Sequence, residues 1–134
     1  MRVQMVSRML TFVNPMCVVL VEDEPNLRMI AAELLTDAGH IVIEFSTAAE
    51  AKAYADVPEN WLTTVLTDIN MPGEEDGLDL AVHIRATRPQ ATVIVTSGRY
   101  AALPSRMPDG IAFLPKPWTG EELVQAIGAV QVRP

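Results

Sequence analysis

The chain has 134 residues, enough for one domain and too few for two ordinary hydrophobic cores. Hydrophobic residues make up 49% and charged residues 20%, the balance of a folded chain rather than a disordered one. With 17 acidic side chains against 10 basic ones and a net charge of −7, direct nucleic-acid binding is not expected, and the lone Cys17 excludes an internal disulfide.

Residues 1–15 carry Arg2, Gln4, Ser7 and Arg8 among their apolar residues. They lack the unbroken apolar core of a signal peptide, and no run approaches the ~20 apolar residues of a membrane span. This stretch reads either as a short amphipathic extension or as the product of an upstream start codon, with the domain occupying residues 16–134. A reducing, cytoplasmic setting without membrane association is expected.

Cys17–Val21 is a continuous apolar run, long enough for a strand buried on both faces. Leu27, Ile30, Ala31 and Leu34 recur at helical spacing, predicting a helix that stops with Gly39 just past its end. Residues 40–45 predict a second strand, and Thr47 with Glu50 has the capping-box spacing that opens a helix reaching about Asp56. Residues 64–67 predict a third strand, which runs into Asp68 and a turn-rich loop containing Pro72, Gly73 and Gly77. Asp76 is placed to cap the next helix, whose inward stripe is predicted at Leu78, Ala81 and Val82, with Pro89 beyond its end. Residues 93–96 and 111–114 predict strands four and five. Thr119 and Glu122 form a second capping box, opening a helix with Leu123, Ala126, Ile127 and Val130 inward. Five strands alternating with helices predict a parallel α/β sheet covered on both faces.

In such sheets ligands bind beyond the carboxyl ends of the strands. Strand one ends in Glu22 and Asp23, strand three in Asp68, strand four in Thr96 and Ser97, and strand five leads to Lys116. Carboxylates a few ångströms apart repel by ~1 kcal/mol per pair in water and by several times that at an effective dielectric near 20, so their gathering implies a counter-cation. Hard oxygen ligands in an incomplete cage suit Mg²⁺, which shares its coordination with phosphate. A carboxylate beside Mg²⁺ and an ammonium is a plausible nucleophile toward phosphorus. The residues therefore predict an aspartyl-phosphate site.

Val18–Glu24, Leu66–Pro72, Val93–Gly98 and Leu114–Trp118 together resemble the signatures of response-regulator receiver domains of the CheY-like superfamily, in order and each at a strand end. The resemblance covers the chain from Met16 onward and implies a flavodoxin-like, doubly wound five-stranded parallel sheet. It implies that Asp68 is the phosphoacceptor, that Asp23 and Asp68 bind Mg²⁺ with Glu22 acting mostly through water, and that Asn70 adds its backbone carbonyl. It further implies that Lys116 pairs with the phosphoryl group and that Pro117 follows a cis peptide bond. Ser97, with Thr96 as the alternative, becomes the switch hydroxyl, and Phe113 the aromatic switch on strand five. Asn70 and Arg99 fall where the family tunes phosphate lifetime.

Two departures from the family pattern stand out. The loop after Asp68 is one residue longer than usual, with Glu74 and Glu75 inside it. The segment from Arg99 to Gly110 contains Pro104 and Pro108 and is shorter than usual, so the fourth helix, between strands four and five, is expected to be short or broken. The function expected is a standalone receiver, monomeric or a weak dimer. It would take a phosphoryl group from a histidine kinase or histidine phosphotransferase and switch a downstream target protein or pass the group along a relay. It would catalyse only its own Mg²⁺-dependent phosphorylation and dephosphorylation. The rivals are a degenerate receiver acting as a phosphorylation-independent adaptor and a Mg²⁺-dependent phosphatase. Such phosphatases want a second acid two residues after the nucleophile, where this chain has Asn70.

Overall fold

A computed structural model of the protein describes residues 15–71, 76–98 and 108–131. Strands β1 (Cys17–Val21), β2 (Ile41–Phe45), β3 (Thr64–Asp68), β4 (Thr92–Ser97) and β5 (Ile111–Pro115) alternate with helices α1 (Pro25–Asp37), α2 (Ala48–Ala55), α3 (Gly77–Thr87) and α4 (Gly120–Gln131). All pairings are parallel, in the order β2-β1-β3-β4-β5. The chain reverses direction beside β1, between β1 and β3, which is where an open sheet of this kind makes its crevice. The helix expected between β4 and β5 falls largely on residues 99–107. Like residues 1–14 of the expected N-terminal extension and the loop residues 72–75, these lie outside the described residues.

Two cores follow from the alternation of side chains along each strand. Val19, Val21, Val65, Val93 and Val95 pack with α2 and α3 residues such as Ala51, Leu78 and Ala81. Val18, Leu20, Leu66 and Ile94 face the other way, onto Ala31 and Leu35 of α1 and Leu123 and Ile127 of α4. β1, β3 and β4 are buried on both faces because both faces are covered.

The helix boundaries follow local chemistry. Glu24 caps α1, its carboxylate accepting from the N–H groups of Asn26 and Leu27 at 3.1 and 2.9 Å. Gly39 ends α1 with φ 102°. Its N–H reaches the Thr36 carbonyl while that of His40 reaches Leu35, the paired bonds of a Schellman stop. Asp76 and Asp79 form a reciprocal capping box at α3, and Thr119 and Glu122 form another at α4.

Two inward stripes differ from expectation. In α1 the buried residues are Ala31, Ala32 and Leu35, while Ile30 is 46% exposed. In α3 they include Leu78, Leu80, Ala81 and Ile84, while Val82 is 45% exposed. Both helices carry apolar residues on more than one face, so spacing alone leaves several stripes open, and packing on the sheet selects one.

Candidate functional site

The carboxyl ends of β1, β3, β4 and β5 open on one rim. β1 passes directly into Glu22 and Asp23, β3 ends on Asp68, β4 ends on Ser97, and Lys116 follows β5. Glu22, Asp23 and Asp68 can each bring a carboxylate oxygen within 4.8 Å of the others. The Lys116 ammonium reaches into this group, with Nζ 2.9 Å from Glu22 Oε1 and 3.3 Å from Asp68 Oδ2. Glu22 and Asp68 are buried, whereas Asp23 is exposed at the mouth.

Burial dominates the protonation of both inner carboxyls and raises their pKa values. Lys116 opposes this on both, as do the backbone N–H of Glu24 on Glu22 and that of Asn70 on Asp68. The Asp23 charge pushes Asp68 further up. Burial works to lower the pKa of the Lys116 ammonium, but its bonds to Glu22 and the Asp68 charge outweigh it, and the net shift is upward. Three carboxylates against one ammonium leave two negative charges uncompensated, a deficit that one divalent cation matches. The all-oxygen donor set, open on the Asp23 side, fits Mg²⁺.

Around this centre the predicted residues fall as follows. The Lys116–Pro117 peptide is cis. Asn70 lies beside Asp68, its N–H 3.4 Å from Asp68 Oδ1, and its side-chain amide donates to Ser97 Oγ at 3.1 Å. Ser97 shares the sheet face of Val95, whereas Thr96 points to the opposite face, where its buried hydroxyl has no hydrogen-bond partner among the described residues. The geometry thus brings Ser97 and not Thr96 to Asn70. Phe113 packs, half-buried, against the core on that same face. Arg99 lies outside the described residues.

Three features of the rim escape sequence reasoning. Arg28 donates to the Glu22 carbonyl at 2.8 Å and lies 3.6 Å from Glu44, tying α1 to the base of the site. Its position one turn into α1 was the available signal. The Asn70 side chain, as distinct from its backbone, meets a residue 27 positions away, and no local pattern announces that. Gly77, expected as a turn residue, is instead demanded by closeness. A Cβ there would sit 1.7 Å from the Asp68 carbonyl oxygen, and the Gly77 N–H donates to the Ile69 carbonyl at 2.9 Å. The start of α3 is pressed directly against the acidic strand end.

The family described as response regulator receiver domain matches residues 18–128. The transcriptional regulatory protein PdtaR of Mycobacterium tuberculosis is 34% identical over 116 residues, covering 84% of this chain and 55% of PdtaR. The chain therefore spans about half the length of that relative. The response regulator receiver protein CpdR of Brucella abortus is 32% identical over 114 residues, covering 82% of this chain and 92% of CpdR. Among solved structures, a response regulator receiver protein from Sinorhizobium medicae superposes with a TM-score of 0.75 at 26% identity, covering 87% of this chain and 94% of that one. The receiver domain of the hybrid histidine kinase CckA superposes with a TM-score of 0.71 at 30% identity, covering 84% and 96%.

Proposed function

The chain belongs to the response regulator receiver domain family, and from that premise we propose that Asp68 accepts a phosphoryl group from a phosphohistidine on a kinase or phosphotransferase. The observation that carries the reading is the contact of Lys116 Nζ with both Glu22 and Asp68, inside a triad of carboxylates that can converge within 4.8 Å. In the transfer, an Asp68 carboxylate oxygen forms a bond to phosphorus as the donor's P–N bond breaks, and the released imidazole takes a proton from solvent. Glu22, Asp23, Asp68 and the Asn70 carbonyl would hold Mg²⁺, which when bound neutralises the charge gathering on the transferred oxygens.

The chain's own residues divide the remaining work. Lys116 lies against the Asp68 oxygen and is placed to pair with a phosphoryl oxygen once Asp68 is modified. Burial of Asp68 limits water to the open side of the rim, which favours a phosphoryl group that survives long enough to signal. Ser97 can donate its hydroxyl proton to that group, and Phe113 on the same face can repack as Ser97 moves. The result is a phosphorylation-controlled interaction switch or a relay intermediate, with a downstream target protein reading the change.

Incubation with acetyl phosphate and Mg²⁺, followed by intact mass, tests this. An adduct of about 80 Da is expected in the wild type and is expected to vanish in Asp68→Asn and on chelation of Mg²⁺. An inert wild type would instead favour an adaptor that works without phosphorylation, and steady turnover of unrelated phosphomonoesters would favour a phosphatase.

A further inference from the structure

We propose that the Asn70 side chain is a positioning element that latches the Ser97 hydroxyl in the resting arrangement and gives it up when Asp68 is modified. The proposal rests on Asp68 being the phosphoacceptor, but the latch itself is a property of the unmodified protein.

Asn70 meets two groups from different strand ends. Its backbone N–H lies 3.4 Å from Asp68 Oδ1 at the end of β3, and its side-chain Nδ2 donates to Ser97 Oγ at 3.1 Å at the end of β4. Ser97 is 1% exposed, so water reaches its hydroxyl only from the Asn70 side. The bond is part-buried, closed on the Ser97 side and open on the side of the exposed Asn70, and removing the amide takes this partner from a buried hydroxyl. In it Ser97 Oγ is the acceptor, so the bond fixes where the oxygen sits without consuming the hydroxyl's own proton.

A phosphoryl group on Asp68 would bring charged acceptor oxygens to the same spot. Hydrogen bonds to an ionised acceptor are roughly twice as strong as neutral ones, so the Asn70 amide and the Ser97 hydroxyl would both gain by turning toward it. The neutral bond between them then opens. Asn70 thereby adds to the stability of the resting state alone, and its removal shifts the population toward the active arrangement before any phosphorylation occurs.

The test uses the full chain. In the unphosphorylated protein, Asn70→Ala and Ser97→Ala are combined in a double-mutant cycle read by denaturant unfolding. A latch predicts that the double variant loses less stability than the two singles added together, and strict additivity overturns it. In parallel, amide NMR of Gly98 and Lys116 reports the position of the resting–active equilibrium. Asn70→Ala is expected to move these resonances toward their positions in the acetyl-phosphate-treated wild type, with an equilibrium shift of about two- to tenfold. Asn70→Leu, which keeps roughly the size but has no hydrogen-bonding group, should shift them in the same direction. In a Ser97→Ala background the Asn70→Ala shift should disappear, whereas Ser97→Thr, which restores the hydroxyl, should bring it back. Unchanged resonances in Asn70→Ala, or an equal shift in the Ser97→Ala background, would refute the latch. If acetyl phosphate leaves no adduct on Asp68, the phosphoacceptor reading fails on its own, and the cycle still decides whether the contact couples the two residues.

Discussion

Lys116 stands where a divalent cation would otherwise be the sole positive charge, and its contacts with Glu22 at 2.9 Å and Asp68 at 3.3 Å offset part of the carboxylate repulsion. Removing it leaves the buried carboxylates opposed only by hydrogen bonds. Added Mg²⁺ should therefore raise the denaturant midpoint of Lys116→Ala by more than that of the wild type, and Asp23→Asn should lose most of the effect in either background. Equal Mg²⁺ stabilisation of Lys116→Ala and wild type would remove the electrostatic account. A second residue-scale prediction concerns His40, which is buried and accepts the Met16 N–H through Nδ1 at 3.2 Å. Burial lowers its pKa, so the unfolded chain binds the proton more tightly than the native one. The stability it contributes is complete above the unfolded value of about 6.5 and is lost as pH falls from there through the folded value. Unfolding midpoints measured between neutral pH and the acid side should fall for the wild type and fall less for His40→Gln. Asp68, Asp23 and Lys116 were legible one at a time, as polar residues ending apolar runs. The Asn70–Ser97 bond was not, because it joins two side chains whose meeting depends on how β3 and β4 pair.

Among the elements, the strands were the most legible and the helix faces the least. Each of the five strands begins and ends within a residue of the segment predicted for it, and in β1, β3 and β4 burial on both faces leaves no competing register. The α1 and α3 stripes moved because alanines and leucines there lie on adjoining faces, and contact with the sheet chose between them. Two glycines in helices separate propensity from packing. At Gly77 a Cβ would meet the Asp68 carbonyl at 1.7 Å, so Gly77→Ala should cost about 3 kcal/mol and displace the start of α3 from the acidic strand end. At Gly128 in α4 a Cβ meets nothing within 4 Å among the described residues, so Gly128→Ala should stabilise by about 0.5–1 kcal/mol. Chemical denaturation of both variants checks the opposite signs. A destabilised Gly128→Ala would show that α4 is not the regular helix described.

At the scale of the whole molecule, the two ends of the sheet have separate tasks. The carboxyl end holds the acidic rim, and the opposite end is held by arginines. Arg88 donates to the carbonyls of Ala55, Val57 and Asn60, and Arg85 to those of Pro89 and Ala91. Arg88→Ala should lower unfolding free energy by about 1–2 kcal/mol, since three carbonyls, two of them part-buried, lose a charged donor, while leaving the rate of adduct formation on Asp68 unchanged. A parallel loss in that rate would show that the two ends are coupled. Among the described residues, no helix is long and apolar enough to cross a membrane. Composition, apolar runs and capping pairs by themselves determined a parallel α/β sheet with acidic strand ends, because each of those signals is local and repeats at a period of the backbone. Only the tertiary structure decided which side chains share the rim. The pressing of Gly77 on Asp68 and the turning of Ser97 rather than Thr96 toward Asn70 depend on contacts between segments far apart in the chain.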